Sequence, residues 1–213
     1  MPFEVIPLPS KSISSNCYLV LDEKRTILID SGCDERLIGV LKRLGIYPEM
    51  VTLVINTHCH YDHLLCNEFF TEAKICMHAA DARQIEEMND RVTLASMAKV
   101  EILPKIDKHL KDGDVIETRN GSLTIIHTPG HTAGSICILA SNGALFSGDT
   151  VFADSVGRFD FPTGDREALQ KSLRLLSVKR FNQLFPGHGG PTTKDRIKTI
   201  LEDGIIASVS KIP

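Results

Sequence analysis

The apolar run "MVTLVIN" at residues 50–56 leads straight into "THCHYDH" at 57–63. A short apolar run rich in β-branched residues reads as a buried strand. Immediately after it, three histidines and one aspartate fall within positions 58–63. An imidazole taken out of water must find a hydrogen-bond or metal partner. A chain with this junction has to fold so that a core strand delivers a polar cluster to the loop at its end. On extended backbone His58 and His60 share one side, and Cys59 between them points away. The two rings can grip one ion, while Asp62 and His63, from the next turn, can address a second. Cys59 is not expected to be a ligand.

Three more donors stand where expected strands end. His131 lies in "TPGHTAGS" after "LTIIHT", Asp149 in "FSGDT" after "ALF", and His188 in "FPGHGG" after "QLF". Gly, Pro and Thr frame them, the residues that build tight loops. With His58, His60, Asp62 and His63 they make five imidazoles and two carboxylates. One tetrahedral zinc uses only three or four ligands. Seven suit two divalent ions that share one carboxylate and a bridging water. Zinc is the first choice, and the same N/O donors accept iron or manganese. His78, His109 and His127 belong to no such pattern and are assigned structural roles.

"FEVIPL", "NCYLVLD" and "TILID" are expected strands, with "EKR" turning between the last two. Asp34 is the expected cap of a helix whose stripe is Leu37, Val40, Leu41 and Leu44 and whose end is Gly45. "LLCNEFF" reads as a helix beginning at the cluster, "AKICMH" as a strand and "AADARQIEEMND" as a helix. "DVIETRNGSLTIIHT" reads as a hairpin turning at Asn120-Gly121. "SICILA" and "ALFSGD" are strands joined through Ser141-Asn142-Gly143. "DREALQKSLRLLSV" and "KDRIKTILED" are helices on either side of the strand end "QLFPGHG". Two rounds of strands followed by helices predict an α/β (α+β) chain, two sheets face to face with helices outside, in a single domain over residues 1–213.

Composition narrows the function. With 42% hydrophobic and 24% charged residues, the 213-residue chain can bury a sizeable core. A net charge of −3 gives no reason to expect a nucleic-acid surface or attraction to a membrane. No apolar run approaches the ~18 residues of a bilayer span. No basic segment precedes an apolar one at the N-terminus. The six cysteines form no CxxC pair and read as reduced thiols, so a cytoplasmic location is expected.

Taken in order, "THCHYDH", "TPGHTAGS", "FSGDT" and "PGHGG" resemble the signature segments of the metallo-β-lactamase fold. The likeness is to the glyoxalase II-like (hydroxyacylglutathione hydrolase-like) branch in a short single-domain form, and it runs from the first strands to about Thr193. It implies a four-layer αββα sandwich of two mixed β-sheets. It also implies that His58, His60 and His131 hold one ion and Asp62, His63 and His188 the other, with Asp149 bridging. Gly157-Arg158 in "VFADSVGRFDFPTGD" resembles the element that helps to hold a thioester, and Arg158 is expected to offer its fork to a substrate carboxylate. Asp160 falls where glutathione-specific enzymes of that branch usually carry a tyrosine, and their extra C-terminal helical region has no counterpart in this sequence. Both departures point away from glutathione specificity.

Two adjacent cations acidify the water between them toward a pKa near ~7, and the hydroxide can attack a carbonyl carbon that the same ions polarise. Asp62 is placed to orient it, and Asp62 and Asp149 are the expected catalytic carboxylates. Two dications less two carboxylates and one hydroxide leave about +1 by formal count, which favours a small anionic substrate. The expected activity is metal-dependent hydrolysis of a thioester or related ester, with ring opening of lactones or β-lactams within the same chemistry. The alternative is an oxygenase resembling the persulfide dioxygenases, with one ferrous ion on His58, His131 and Asp149. His188, which a second ion needs, argues for the hydrolase. The diiron domain of flavodiiron proteins is a weaker resemblance, because it prefers a glutamate in the first cluster, where this chain has His60.

Overall fold

The structure is a computed structural model that describes residues 4–10, 12–23, 25–100 and 103–203. Its first half builds a sheet from β1 (Glu4–Leu8), β2 (Cys17–Asp22), β3 (Arg25–Ile29), β4 (Val51–Ile55), β5 (Lys74–His78) and β6 (Lys108–Leu110), in that spatial order. Helices α1 (Arg36–Arg43), α2 (Tyr61–Leu64), α3 (Ala79–Glu86) and α4 (Asp90–Thr93) interrupt it. The second half also orders its strands consecutively. β7 (Val115–Glu117), β8 (Ser122–His127), β9 (Ile136–Ala140), β10 (Ala144–Gly148), β11 (Gln183–Pro186) and β12 (Thr192–Thr193) lie in sequence across the sheet, with α5 (Arg166–Val178) and α6 (Asp195–Glu202) beside them. Both sheets are mixed: β3–β4–β5–β6 are parallel in the first and β10–β11 in the second, the other pairs antiparallel.

Alternation along the strands makes three apolar layers. Tyr18, Val20, Ile27, Ile29 and Ile55 of the first sheet meet Leu123, Ile125, Ile138 and Phe146 of the second between the sheets. Their neighbours Leu19, Leu28 and Val54 face the opposite way, onto Leu37, Leu41, Ala82 and Ile85 of α1 and α3. Cys137 and Leu145 of the second sheet face Leu169, Leu173, Leu176 and Ile197 of α5 and α6. Full burial of one such side chain contributes about 1.5–3 kcal/mol. Three layers of core separate four layers of secondary structure, which is the expected αββα sandwich.

Local chemistry refines several expectations. The N-cap of α1 is Glu35, without a side-chain cap bond, and not Asp34, which stands one residue earlier and accepts the Arg36 N–H through Oδ1 at 3.0 Å; the buried stripe is Leu37 and Leu41, with Leu44 left exposed. The helix expected over 79–90 stops at Glu86, because Met88 turns left-handed (φ 50°), and it restarts as α4. "LLCNEFF" is not an α-helix. The α-turn comes earlier, at Tyr61–Leu64, and Leu65–Phe69 is 3-10. The Asn120-Gly121 hairpin forms, but its loop is four residues, since Glu117 pairs with Ser122 and the Thr118 N–H donates to Gly121 O. Phe3 and Lys24, in the first expected strand and the "EKR" turn, lie outside the described residues. No helix among the described residues is long and apolar enough to cross a membrane.

Strand direction positions the site. β3 and β4 are parallel, β10 and β11 are parallel, and β8 runs with β10 because β9 opposes both. The loops leaving the C-terminal ends of these five strands gather at one edge of the sandwich. There the Ile136 N–H, at the start of β9, donates to Thr57 O across the two sheets at 2.9 Å.

Candidate metal centre

All seven donors read from the sequence meet at that edge. His58 and His60 leave β4, Asp62 and His63 ride on the single turn of α2, His131 follows β8, Asp149 follows β10 and His188 follows β11. Nε2 of His58 and Nε2 of His131 approach Nδ1 of His60 at 3.1 and 2.9 Å. The edge of a tetrahedron with Zn–N bonds of about 2.0 Å is about 3.3 Å, so these atoms already converge as ligands of one ion do. A second group is Asp62, His63 and His188, whose Nε2 lies 3.1 Å from Asp62 Oδ2. Asp149 reaches both groups. Its Oδ1 is 3.3 Å from His63 Nε2, and its Oδ2 is 3.7 Å from His131 Nε2 and 3.6 Å from His188 Nε2.

Neighbouring acceptors select the tautomers. The Thr57 hydroxyl donates to Asp30 Oδ2 and accepts from His58 Nδ1 at 3.1 Å. His63 Nδ1 donates to Asp30 Oδ2 at 2.8 Å, and His131 Nδ1 to the carbonyl of Arg158 at 2.6 Å. Each contact fixes the proton on Nδ1 and leaves the Nε2 lone pair facing the site. Burial lowers the pKa of His58 well below normal, and burial together with His131 brings His60 to about 3. Both rings are therefore neutral at pH 7, the state a metal ligand requires.

Two atoms test whether a metal fits. His63 Nε2 and Asp149 Oδ1 are buried and hydrogen-bonded to nothing among the described residues. Orphaned buried polar atoms are rare and call for a missing partner. Burial by itself would lower the pKa of His63, but Asp149, Asp30 and Asp62 around it raise it well above normal. Burial would raise Asp149, yet His63 and the neighbouring imidazoles hold it far below the usual carboxylate range. Three carboxylates thus crowd one buried imidazole, and a cation held by these residues would balance their charge. The donor set, imidazole and carboxylate without thiolate, fits zinc, iron or manganese.

Two buried carboxylates that carry no motif in the sequence hold the loops in place. Asp30 follows β3 in left-handed conformation (φ 53°) and accepts from Thr57 N–H, Thr57 Oγ1 and His63 Nδ1. Asp81, on α3, accepts from the Cys59 N–H at 2.9 Å, Thr132 Oγ1 at 2.7 Å and the Gly134 N–H at 2.6 Å, tying the His58–His60 loop to the His131 loop. "ID" before "SG" is the only sign of Asp30, and "HAAD" resembles an ordinary helix start. Asp30→Asn keeps the size but disturbs the His63 tautomer. Metal affinity is expected to fall about 10–100-fold, the range for outer-shell partners, as read by competition with a chromogenic chelator.

The remaining assignments sort clearly. Cys59 packs under the helices, and all six thiols are free. His78 caps α3 through Ala80 N–H and stacks on His127 at 4.0 Å, and His109 pairs with Glu86 on the surface. Asn16 Nδ2 donates to Pro186 O and Gly189 O at 3.0 and 2.8 Å, and the Tyr18 hydroxyl to Pro186 O at 2.6 Å, which pins the His188 loop to the start of β2. Arg158 is exposed, and its fork is held by Asp160 rather than left open. Phe161 stands edge-on to His60 at 5.3 Å and Phe152 edge-on to His188 at 6.1 Å, so two phenyl rings flank the mouth.

Known proteins resemble this chain in sequence and fold. The chain is 37% identical over 194 residues to a probable metallo-hydrolase of Methanocaldococcus jannaschii, covering 87% of this chain and 92% of that one. It is 32% identical over 209 residues to the hydroxyacylglutathione hydrolase GloC of Haemophilus influenzae, covering 91% and 93%. The protein TTHA1623, solved in a di-iron-bound form, superposes with a TM-score of 0.74 at 29% identity over 94% of this chain and 98% of that one. The profile of the Metallo-beta-lactamase superfamily matches residues 12–188, a span that takes in every donor from His58 to His188, and the chain belongs to that superfamily.

Proposed function

We propose that the protein is a binuclear metal-dependent hydrolase that cleaves a thioester or related ester of a small anionic acid. The observation that carries this reading is the Asp149 carboxylate, with one oxygen beside His63 and the other beside His131 and His188. A carboxylate so placed can serve two ions at once, and one ion on His58, His131 and Asp149 would leave Asp62, His63 and His188 without a purpose. The likeness to a hydroxyacylglutathione hydrolase over nine-tenths of the chain supports the substrate class.

When bound, the ions supply hydroxide from water at neutral pH and Lewis-acid polarisation of the acyl oxygen. The residues of the chain do the rest. Burial works to raise the Asp62 carboxyl, but His63 and the hydrogen bond to His188 hold it below its ordinary range, so it is ionised and able to accept a proton from attacking water. Thr57, Asp30 and the Arg158 carbonyl keep the imidazoles in one orientation. Phe161 and Phe152 stand edge-on to His60 and His188 and add apolar surface beside the reacting centre. Water adds OH to the acyl carbon and its proton ends on the departing thiol, so no serine or cysteine nucleophile is required.

The test is metal analysis of the purified protein together with a panel of thioesters. Two ions per chain with thioester cleavage are expected. One iron per chain, with oxygen consumed in the presence of a thiol persulfide, would overturn the reading in favour of the oxygenase.

A further inference from the structure

Arg158 places a cation beside the mouth of the His58–His60–His131 triad. Its backbone carbonyl accepts from His131 Nδ1, and its guanidinium lies 4.5 Å from the centre of the Phe161 ring, which itself abuts His60. Stacking and backbone together hold the guanidinium near the reacting centre. Its Nε–Nη2 edge is already taken: Nε donates to Asp160 Oδ1 at 2.9 Å and Nη2 to Asp160 Oδ2 at 2.6 Å. Both partners are about half exposed, 51% and 47%.

We infer that Asp160 is a specificity-determining residue, an internal carboxylate that occupies the Arg158 fork and restrains the preference of the site for anionic acyl substrates. The inference rests on the thioester reading of the site. A substrate carboxylate that uses the same edge must displace Asp160, and one that uses the free edge meets a guanidinium whose charge is already balanced. An exposed ion pair is weak, so displacement happens readily and the effect is modest. The pair therefore tunes selectivity and does not block binding.

Asp160→Asn keeps the shape and removes the charge. In the metal-loaded full chain, kcat/KM is measured for one anionic and one neutral thioester with the same leaving thiol. The ratio of anionic to neutral is expected to rise roughly 1.5- to 5-fold, through KM for the anionic substrate and not through kcat. In an Arg158→Ala background the same substitution should leave the ratio where it was, because no fork remains to be released. An unchanged or lower ratio in Asp160→Asn, or an equal rise without Arg158, overturns the inference. Should no thioester be cleaved, calorimetric affinity for succinate in the metal-free protein, with and without Asp160→Asn, reads the same competition. Tighter succinate binding by a similar factor upholds the role of Asp160 although the hydrolase reading has failed, and equal affinity ends both.

Discussion

Asp149→Ala is expected to lose at least one ion per chain and to reduce turnover by more than about a hundredfold, beyond the range for residues that only support ligands. The carboxylate lies within 3.7 Å of imidazoles from both triads, so no other residue can substitute for it. Its removal also takes negative charge from beside His63, whose raised pKa depends on Asp149, Asp30 and Asp62 together. The fold should survive. The loop around residue 149 is held by backbone bonds, from Thr150 N–H to Ser147 O and from Gly187 N–H to Gly148 O, that need no side chain. Metal content by mass spectrometry and melting of the metal-free forms separate the two effects. A variant with a full complement of ions and full turnover would remove Asp149 from the bridging position.

Gly187→Ala should cripple the site from behind. A β-carbon at residue 187 would overlap Asp149 Oδ1 and sit 2.7 Å from His63 Cε1 and 3.1 Å from the Gly148 carbonyl carbon. Real β-carbons do not approach so closely, and the backbone on both sides is bonded, to Gly148 O through the Gly187 N–H and to Asn16 N–H through the Gly187 carbonyl. The groups that must yield are the two candidate ligands. Overpacking of this kind destabilises by about 1–3 kcal/mol. The loss of activity should be larger than that figure suggests, because a ligand displaced by even a few tenths of an ångström no longer meets its ion. Denaturant unfolding and chelator competition on the same sample measure both. Wild-type metal affinity in Gly187→Ala would show that the loop has slack the packing does not reveal.

The seven converging side chains are legible in the sequence because four crowd into the six positions after a buried strand and three stand at strand ends among small loop residues, conjunctions that packing alone does not produce. The residues that orient them are not. Asp30 looks like a turn residue and Asp81 like an ordinary helix-start acid, and only the fold shows them buried against backbone N–H groups 22 to 53 positions away. Arg158 stands out but its pairing does not, since Asp160 two residues later gives no sign of whether its side chain turns toward substrate or toward the arginine. β6 escapes for a different reason: "KHL" has no apolar alternation of its own, and it becomes a strand only because β5 offers it an edge. The break of α3 at Met88 comes from a left-handed residue that helix propensity does not anticipate.

The hydrogen bonds from Asn16 and Tyr18 to the loop on either side of His188 span about 170 positions of chain. During synthesis the ribosome releases Asn16, His58 and His63 long before residue 188 leaves the exit tunnel. Until that moment the second triad lacks its third arm and the first β-hairpin lacks its capstone. An ion held by Asp62, His63 and His188 would therefore be captured only late in synthesis, and such distant closure predicts slow folding relative to helical proteins of equal size.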